Sequence, residues 1–170
     1  MSSIDPIDAG LLVLRLAVGA VMLAHGWNHV FGGGKIAGTG RWFESLGMRP
    51  GWLHAWTASL TELGAGALLV LGLLTPLAAG ACAGVMLVAL ITNHRKNGFF
   101  IFRPGEGYEY VMTLTAAGLF FCAAGAGRIS LDHALDLDGF GWPTALGCAA
   151  LGLGGAAGLL LVFWRPVKKA

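Results

Sequence analysis

Charge is what this chain has least of: 12% of its 170 residues are Asp, Glu, Lys or Arg, while 56% are apolar. A soluble domain needs a larger polar surface than that, so none of any size is expected here. Cysteine is scarce too. Cys82, Cys122 and Cys148 form no CxxC, haem-attachment or zinc-ribbon spacing. There is no HExxH, and no haem, flavin, iron–sulfur or nucleotide motif, so no resident metal or electron carrier is expected. Net charge is only +2 without a dense basic cluster, which argues against a nucleic-acid partner. The first ten residues carry Asp5 and Asp8 but no Lys or Arg, unlike a cleaved signal peptide.

What the chain does have is apolar length. Five stretches, 11–30, 52–74, 77–92, 108–126 and 144–164, are each long enough to rise through most of a ~30 Å hydrocarbon core at ~1.5 Å per residue. Nine of the eleven Lys and Arg residues lie in alternate connectors or the tail: Lys35, Arg41, Arg49, Arg95, Lys96, Arg103, Arg165, Lys168 and Lys169. The opposite side has Arg128 among Asp5, Asp8, Asp132, Asp136 and Asp138. The positive-inside bias then predicts a multi-pass protein of a bacterial plasma membrane, N-terminus outside and C-terminus cytoplasmic.

Two connectors are more than polar loops. Residues 32–51 hold Trp42, Phe43, Leu46 and Met48 among charges, which suits a short helix lying on the cytoplasmic surface. Phe99, Phe100, Ile101 and Phe102 are bracketed by basic residues and need lipid, the bundle or another protein to cover them. Trp27, Trp52, Trp56 and Trp164 sit near the same side, as anchors or as stacking surfaces for a cofactor. Thr75-Pro76 reads as a tight turn. Gly80/Gly84, Gly118/Cys122/Ala126 and Gly154/Gly158 are small residues four apart, spacing that favours close helix contact. The three cysteines share one depth, as packing residues or with Cys82 and Cys122 as a redox pair.

Ionisable residues inside the spans point to function. Glu62 lies near the predicted midplane, where a charge costs ~2.5–3.5 kcal/mol unless it is paired, protonated or turned inward. It shares a small, polar helix face with Ala55, Ala58, Ser59 and Gly66, and a matching stripe runs through Arg15, Gly19, Met22, Gly26 and His29. Arg15 and Glu62 lean apart along the bundle, so a His25–Glu62 contact is expected instead, with Arg15 reached through water. The pair either does proton chemistry or only fixes helix register. His29, His54, His94, Tyr108 and Glu109 collect on the same cytoplasmic half. Such groups suit a proton relay or a quinone head group, because their donors change charge near neutral pH. His25, His94, Tyr108 and Glu109 are expected around one cavity roofed by the 99–102 loop. His25 and His29, one turn apart, are weak evidence for a metal, and none is assigned.

At these residues the chain resembles the DoxX family of small bacterial membrane proteins. The matching segments are LLVLRLAVGAVMLAHGWNHVFGGGK, ASLTELGAGALLVLGLLTPLAA, NHRKNGFFIFRPGEGYEYVMTLTAAGLF and GAGRISLDHAL. The resemblance implies an all-α membrane protein with a DoxX-like four-helix transmembrane core over 1–135. A fifth C-terminal transmembrane helix and short basic tail, 136–170, go beyond the common pattern. It also implies a site at Arg15, Lys35, Glu62, His94, Gly98, Glu109 and Tyr110, and links to quinone-coupled sulfur oxidation, membrane oxidoreductase assemblies and redox stress.

Two functions of different class follow. In the first, the chain is a redox-linked membrane subunit, accessory to a quinone-linked oxidoreductase, that binds a quinone or similar lipid-soluble molecule. Glu62, His94 and Glu109 then carry the proton chemistry, and Arg15, His25, His29, Tyr108 and Tyr110 hold the ligand. In the second, it is a non-catalytic scaffold that recruits soluble oxidoreductases through its aromatic loop and residues 41–49, or stabilises a larger membrane complex.

Overall fold

The computed structural model describes residues 5–166, so Lys168 and Lys169 of the expected basic tail lie outside it. Among the described residues the regular structure is helical, apart from one isolated bridge between Met48 and Trp164. The helices are α1 (Pro6–Phe31), α2 (Lys35–Ser45), α3 (Gly51–Leu71), α4 (Thr75–Ala89), α5 (Glu109–Ala124), α6 (Leu131–Ala134) and α7 (Trp142–Phe163). α4 runs on through a π-helical turn, Leu90–His94, and a 3-10 turn, Arg95–Asn97. Among the described residues three helices are long and apolar enough to cross a membrane: Pro6–Phe31, Thr75–Asn97 and Trp142–Phe163. α3 is long, but His54, Ser59, Thr61 and Glu62 dilute its apolar character. α5 is apolar but has 16 residues, ~24 Å at ~1.5 Å per residue. Three of the five expected spans therefore meet both requirements.

The core lies where α1 packs on α3, and α4 packs on α3, α5 and α7. α1 and α3 meet along the two stripes read from the sequence. A side-chain carbon at Gly19 would lie 2.9 Å from the Gly66 carbonyl oxygen, and one at Gly26 would lie 3.0 Å from that of Ser59. Backbones this close keep an antiparallel register with Gly26 opposite residues 59–63. Gly80 and Gly84 do the same for α4, against Cys148 and Gly152 of α7, and Gly118 sits on Ala79 and Ala83. The Gly154/Gly158 pair does not fit the packing expectation: carbons added there would meet nothing within 4 Å. The contact is made by Gly152, half a turn away.

The bundle has two chemically distinct ends. At the acidic end the chain turns at Gly72, whose φ of +64° suits glycine. Gly72 N–H donates to the Leu69 carbonyl and Leu73 N–H to that of Leu68, which closes α3 in a Schellman motif. Thr75-Pro76 is consequently not the turn; Pro76 sits in the first turn of α4, where a missing N–H costs nothing. Two distant charges then secure these helix ends. Arg15, 1% exposed, donates from Nη1 to the carbonyls of Leu69 and Val70, both at 2.9 Å, and from Nη2 to that of Ile129 at 2.6 Å. Asp132 accepts from the Leu74 and Thr75 amides at 2.6 and 2.9 Å. A cation at one helix C-terminus and a carboxylate at the next N-terminus each oppose the local dipole.

At the other, basic end α2 packs beneath α1 and α3. Phe43 and Met48 join Ala55 and Leu160 in a second small core. Trp164 belongs here rather than to a free aromatic belt: its indole N–H donates to the Leu46 carbonyl at 3.0 Å, and Arg95 lies over its ring. Trp27, Trp52 and Trp56 remain exposed.

Candidate functional site

The basic half of the bundle encloses a cavity of about 260 Å³. α1, α3, α4 and α5, with Leu159 of α7, form its walls, and Trp42 and Phe43 of α2, with Met48, close one end. Most of the wall is apolar, such as Val85, Met86, Val88 and Val111, and the polar groups that reach it are few and clustered. The titratable ones are His25, His29, His54, Glu62, His94 and Tyr110, with Glu106 from the connector before α5, and Thr57, Thr61, Thr92 and Asn93 are the neutral polar ones.

Glu62 is 3% exposed, and its Oε2 lies 3.0 Å from Nδ1 of His29. This corrects the expected His25–Glu62 contact. Gly26 lies on the line where α1 touches α3, so Glu62 starts level with it and leans towards the basic end, where His29 leans back to meet it. His25 is ~100° around the helix from Gly26 at 3.6 residues per turn, and faces α5. Its Nε2 lies 2.9 Å from the Tyr110 hydroxyl, with ring centroids 5.8 Å apart. The two histidines are thus drawn to different partners. Among the described residues no group of three or more His, Cys, Asp or Glu side chains could hold a metal ion.

His94 reaches the wall because the π-helical turn widens the end of α4. It stands 2.9 Å from the Glu106 carbonyl through Nδ1, which places the proton on that nitrogen. His54 is 2% exposed, packs edge-on to Phe163, and its Nε2 is buried without a hydrogen-bond partner. His29 Nδ1 and Glu62 Oε2, although close, are out of line for an N–H···O bond, so both keep an unfilled hydrogen-bond direction. Three buried polar atoms therefore converge on one apolar cavity. Leaving such an atom unpaired costs ~1–3 kcal/mol, which a bound polar group would recover.

Several expected site residues lie elsewhere. Arg15 is at the acidic end, held by backbone carbonyls, and sets no polar interior around Glu62. Tyr108 and Glu109 do not line the cavity, and the 99–102 loop does not roof it. Tyr108 packs on Phe99, and Glu109 accepts from the Ile101 amide at 3.0 Å, so both brace the loop instead. Phe100 stacks on Phe102, which is 79% exposed. A run of four apolar residues this short folds on itself more readily than it can span the mouth of a bundle. Lys35 opens α2 exposed at φ +53°, and Gly98 turns the chain after α4 at φ +82°; neither reaches the cavity. All three cysteines are free. The Cys82 thiol donates to Met22 Sδ and that of Cys122 to the Pro76 carbonyl, which fits packing residues.

The sequence placed His54 among the candidates of the basic half but not at the cavity around His25 and His94. The available signal was its position two turns before Glu62 on a helix whose residues 54, 58 and 62 share one side. Trp42 and Phe43 as the cavity's end wall had no such signal, because an interfacial helix alone does not reveal what it covers.

No curated protein and no solved structure matches this chain. A family model, DoxX, matches residues 10–95, which takes in α1 to α4 and with them His25, His29, His54, Glu62 and His94. The match covers just over half of the chain, and on it the protein belongs to the DoxX family.

Proposed function

We propose that the protein is a redox-linked integral membrane subunit that holds the head group of a quinone, or a similar lipid-soluble molecule, in the cavity beside Glu62. The observation that carries this reading is the convergence of His29 Nδ1, His54 Nε2 and Glu62 Oε2, buried without aligned partners, on a mainly apolar space. A quinone ring suits an apolar wall, and its two carbonyl oxygens need donors. Reduction adds two electrons and two protons and yields two hydroxyl groups. The His29–Glu62 pair can supply one proton and the His25–Tyr110 pair the other, since each joins a titratable ring to a second hydrogen-bonding group. The chain carries no motif for an electron carrier, so the electrons come from a partner oxidoreductase.

In this reading α1, α3, α4, α5 and α7 all cross a bacterial plasma membrane, α7 being the fifth helix beyond the core. The basic end faces the cytoplasm. Its exposed aromatic loop supports a second reading, a scaffold that docks soluble oxidoreductases there: Phe102 stands out beside Arg103.

Mass spectrometry of the protein extracted in native lipid discs tests both. Quinone retained above its share of the bulk lipid, and lost in His54→Ala, is the expected result. No enrichment, with stoichiometric recovery of a soluble oxidoreductase, replaces the first reading with the second.

A further inference from the structure

A second hollow of about 240 Å³ lies against α4 between α3 and α7, and it shares part of its wall with the first. Thr57, Thr61, Val85, Val88 and Leu159 line both. At the basic end α3 and α7 come together, with the His54 and Phe163 rings 5.2 Å apart. Further along, the hollow is bounded by Leu77, Ala81, Leu151 and the glycines Gly84, Gly152 and Gly155. It contains no ionisable side chain other than the Cys148 thiol. Thr57 turns its hydroxyl to the Leu53 carbonyl at 2.8 Å, so its donor is already used.

We infer that this hollow is a lateral groove that seats the hydrocarbon tail of the ligand whose head group occupies the cavity, and that the ligand enters from the lipid between α3 and α7. The inference rests on the head-group reading above and adds to it the ligand's class: an amphipathic molecule with one flexible apolar chain. Three observations carry it. The five shared residues set the polar cavity and the apolar groove side by side. Their chemistry changes along that path from histidine and carboxylate to aliphatic side chains and glycine backbone, which matches a polar head followed by a tail. Size agrees as well. At 260 and 240 Å³ each space alone falls below the ~300–1,000 Å³ usual for small-molecule sites, whereas one ligand that used both would have a site within that range. One wall of the groove is α7, outside the residues matched by the family model.

Gly155 gives a clean test, because a side-chain carbon there would meet nothing within 4 Å while the residue lines the groove. Gly155→Phe should fill the groove without disturbing helix packing. Gly158 is equally open but does not line it, so Gly158→Phe is the control. The probes are a dimethoxy-methyl-benzoquinone without a tail and the same ring with a decyl tail. Binding to the full chain in lipid nanodiscs is measured by tryptophan quenching, with concentrations expressed within the lipid.

Gly155→Phe should weaken the decyl compound about tenfold, the loss expected when roughly two buried methylenes are displaced, and should leave the tail-less ring within about twofold. Gly158→Phe should match wild type for both. Equal binding of the two probes by wild type, or equal loss of both in Gly155→Phe, would overturn the groove and leave the head-group site standing. Wild type that binds neither probe overturns the head-group reading and the groove with it.

Discussion

Glu62→Gln separates an acid group from a packing group, because it keeps the volume and removes both the charge and the transferable proton. The residue is 3% exposed and its Oε2 lies 3.0 Å from His29 Nδ1. Truncating one partner of a buried ion pair typically costs ~3–5 kcal/mol. Gln keeps a polar group of the same size beside His29, so the fold should lose no more than ~1–2 kcal/mol and the variant should still accumulate in the membrane. Ligand binding is governed by a different magnitude. Side chains in contact couple by ~0.5–3 kcal/mol, which is roughly 2- to 150-fold in affinity. The assay is a double-mutant cycle of wild type, His29→Gln, Glu62→Gln and the double variant in nanodiscs. Quinone affinity is followed by fluorescence, with Trp42 at the cavity as reporter, and stability by thermal unfolding. Each single variant should bind more weakly, and the double should lose less than the two losses together. Losses that add within ~0.3–0.5 kcal/mol, or wild-type binding by Glu62→Gln, would remove the pair from the site.

Other expectations concern the acidic end and the orientation. Gly72→Ala should lower the unfolding midpoint in detergent by the equivalent of more than ~1 kcal/mol, since φ is +64° and the new carbon would meet the Arg15 guanidinium. Asp132→Asn removes the charge and one of two carboxylate acceptors at the start of α4, and should cost ~1–3 kcal/mol while ligand affinity, read by the same quenching assay, stays unchanged. A cysteine at Gly139, exposed at the acidic end and free of neighbours within 4 Å, should react from outside intact cells with a thiol reagent that cannot cross the membrane; labelling only after permeabilisation would reverse the orientation.

The sequence alone determined the class of the molecule. Apolar length, scarce charge and small-residue stripes are properties of single positions and their spacing, so the membrane class, the helices and the α1–α3 packing face were legible before any coordinate. Glu62 was legible as well, because a carboxylate amid an apolar run needs a partner wherever it lies. The identity of that partner was not. His25 and His29 are one turn apart and chemically alike, and the choice fell to His29 only because Gly26 sets how closely and at what level α1 meets α3. The same holds for Arg15 and Asp132, whose charges serve the ends of α3 and α4 across long stretches of chain. A π-helical turn carried His94 inward, and the short aromatic loop closed on itself, so Tyr108 and Glu109 were left outside the cavity. Composition fixes which residues must be buried together, but helix register, an effect of a few ångströms in backbone approach, decides which of them touch.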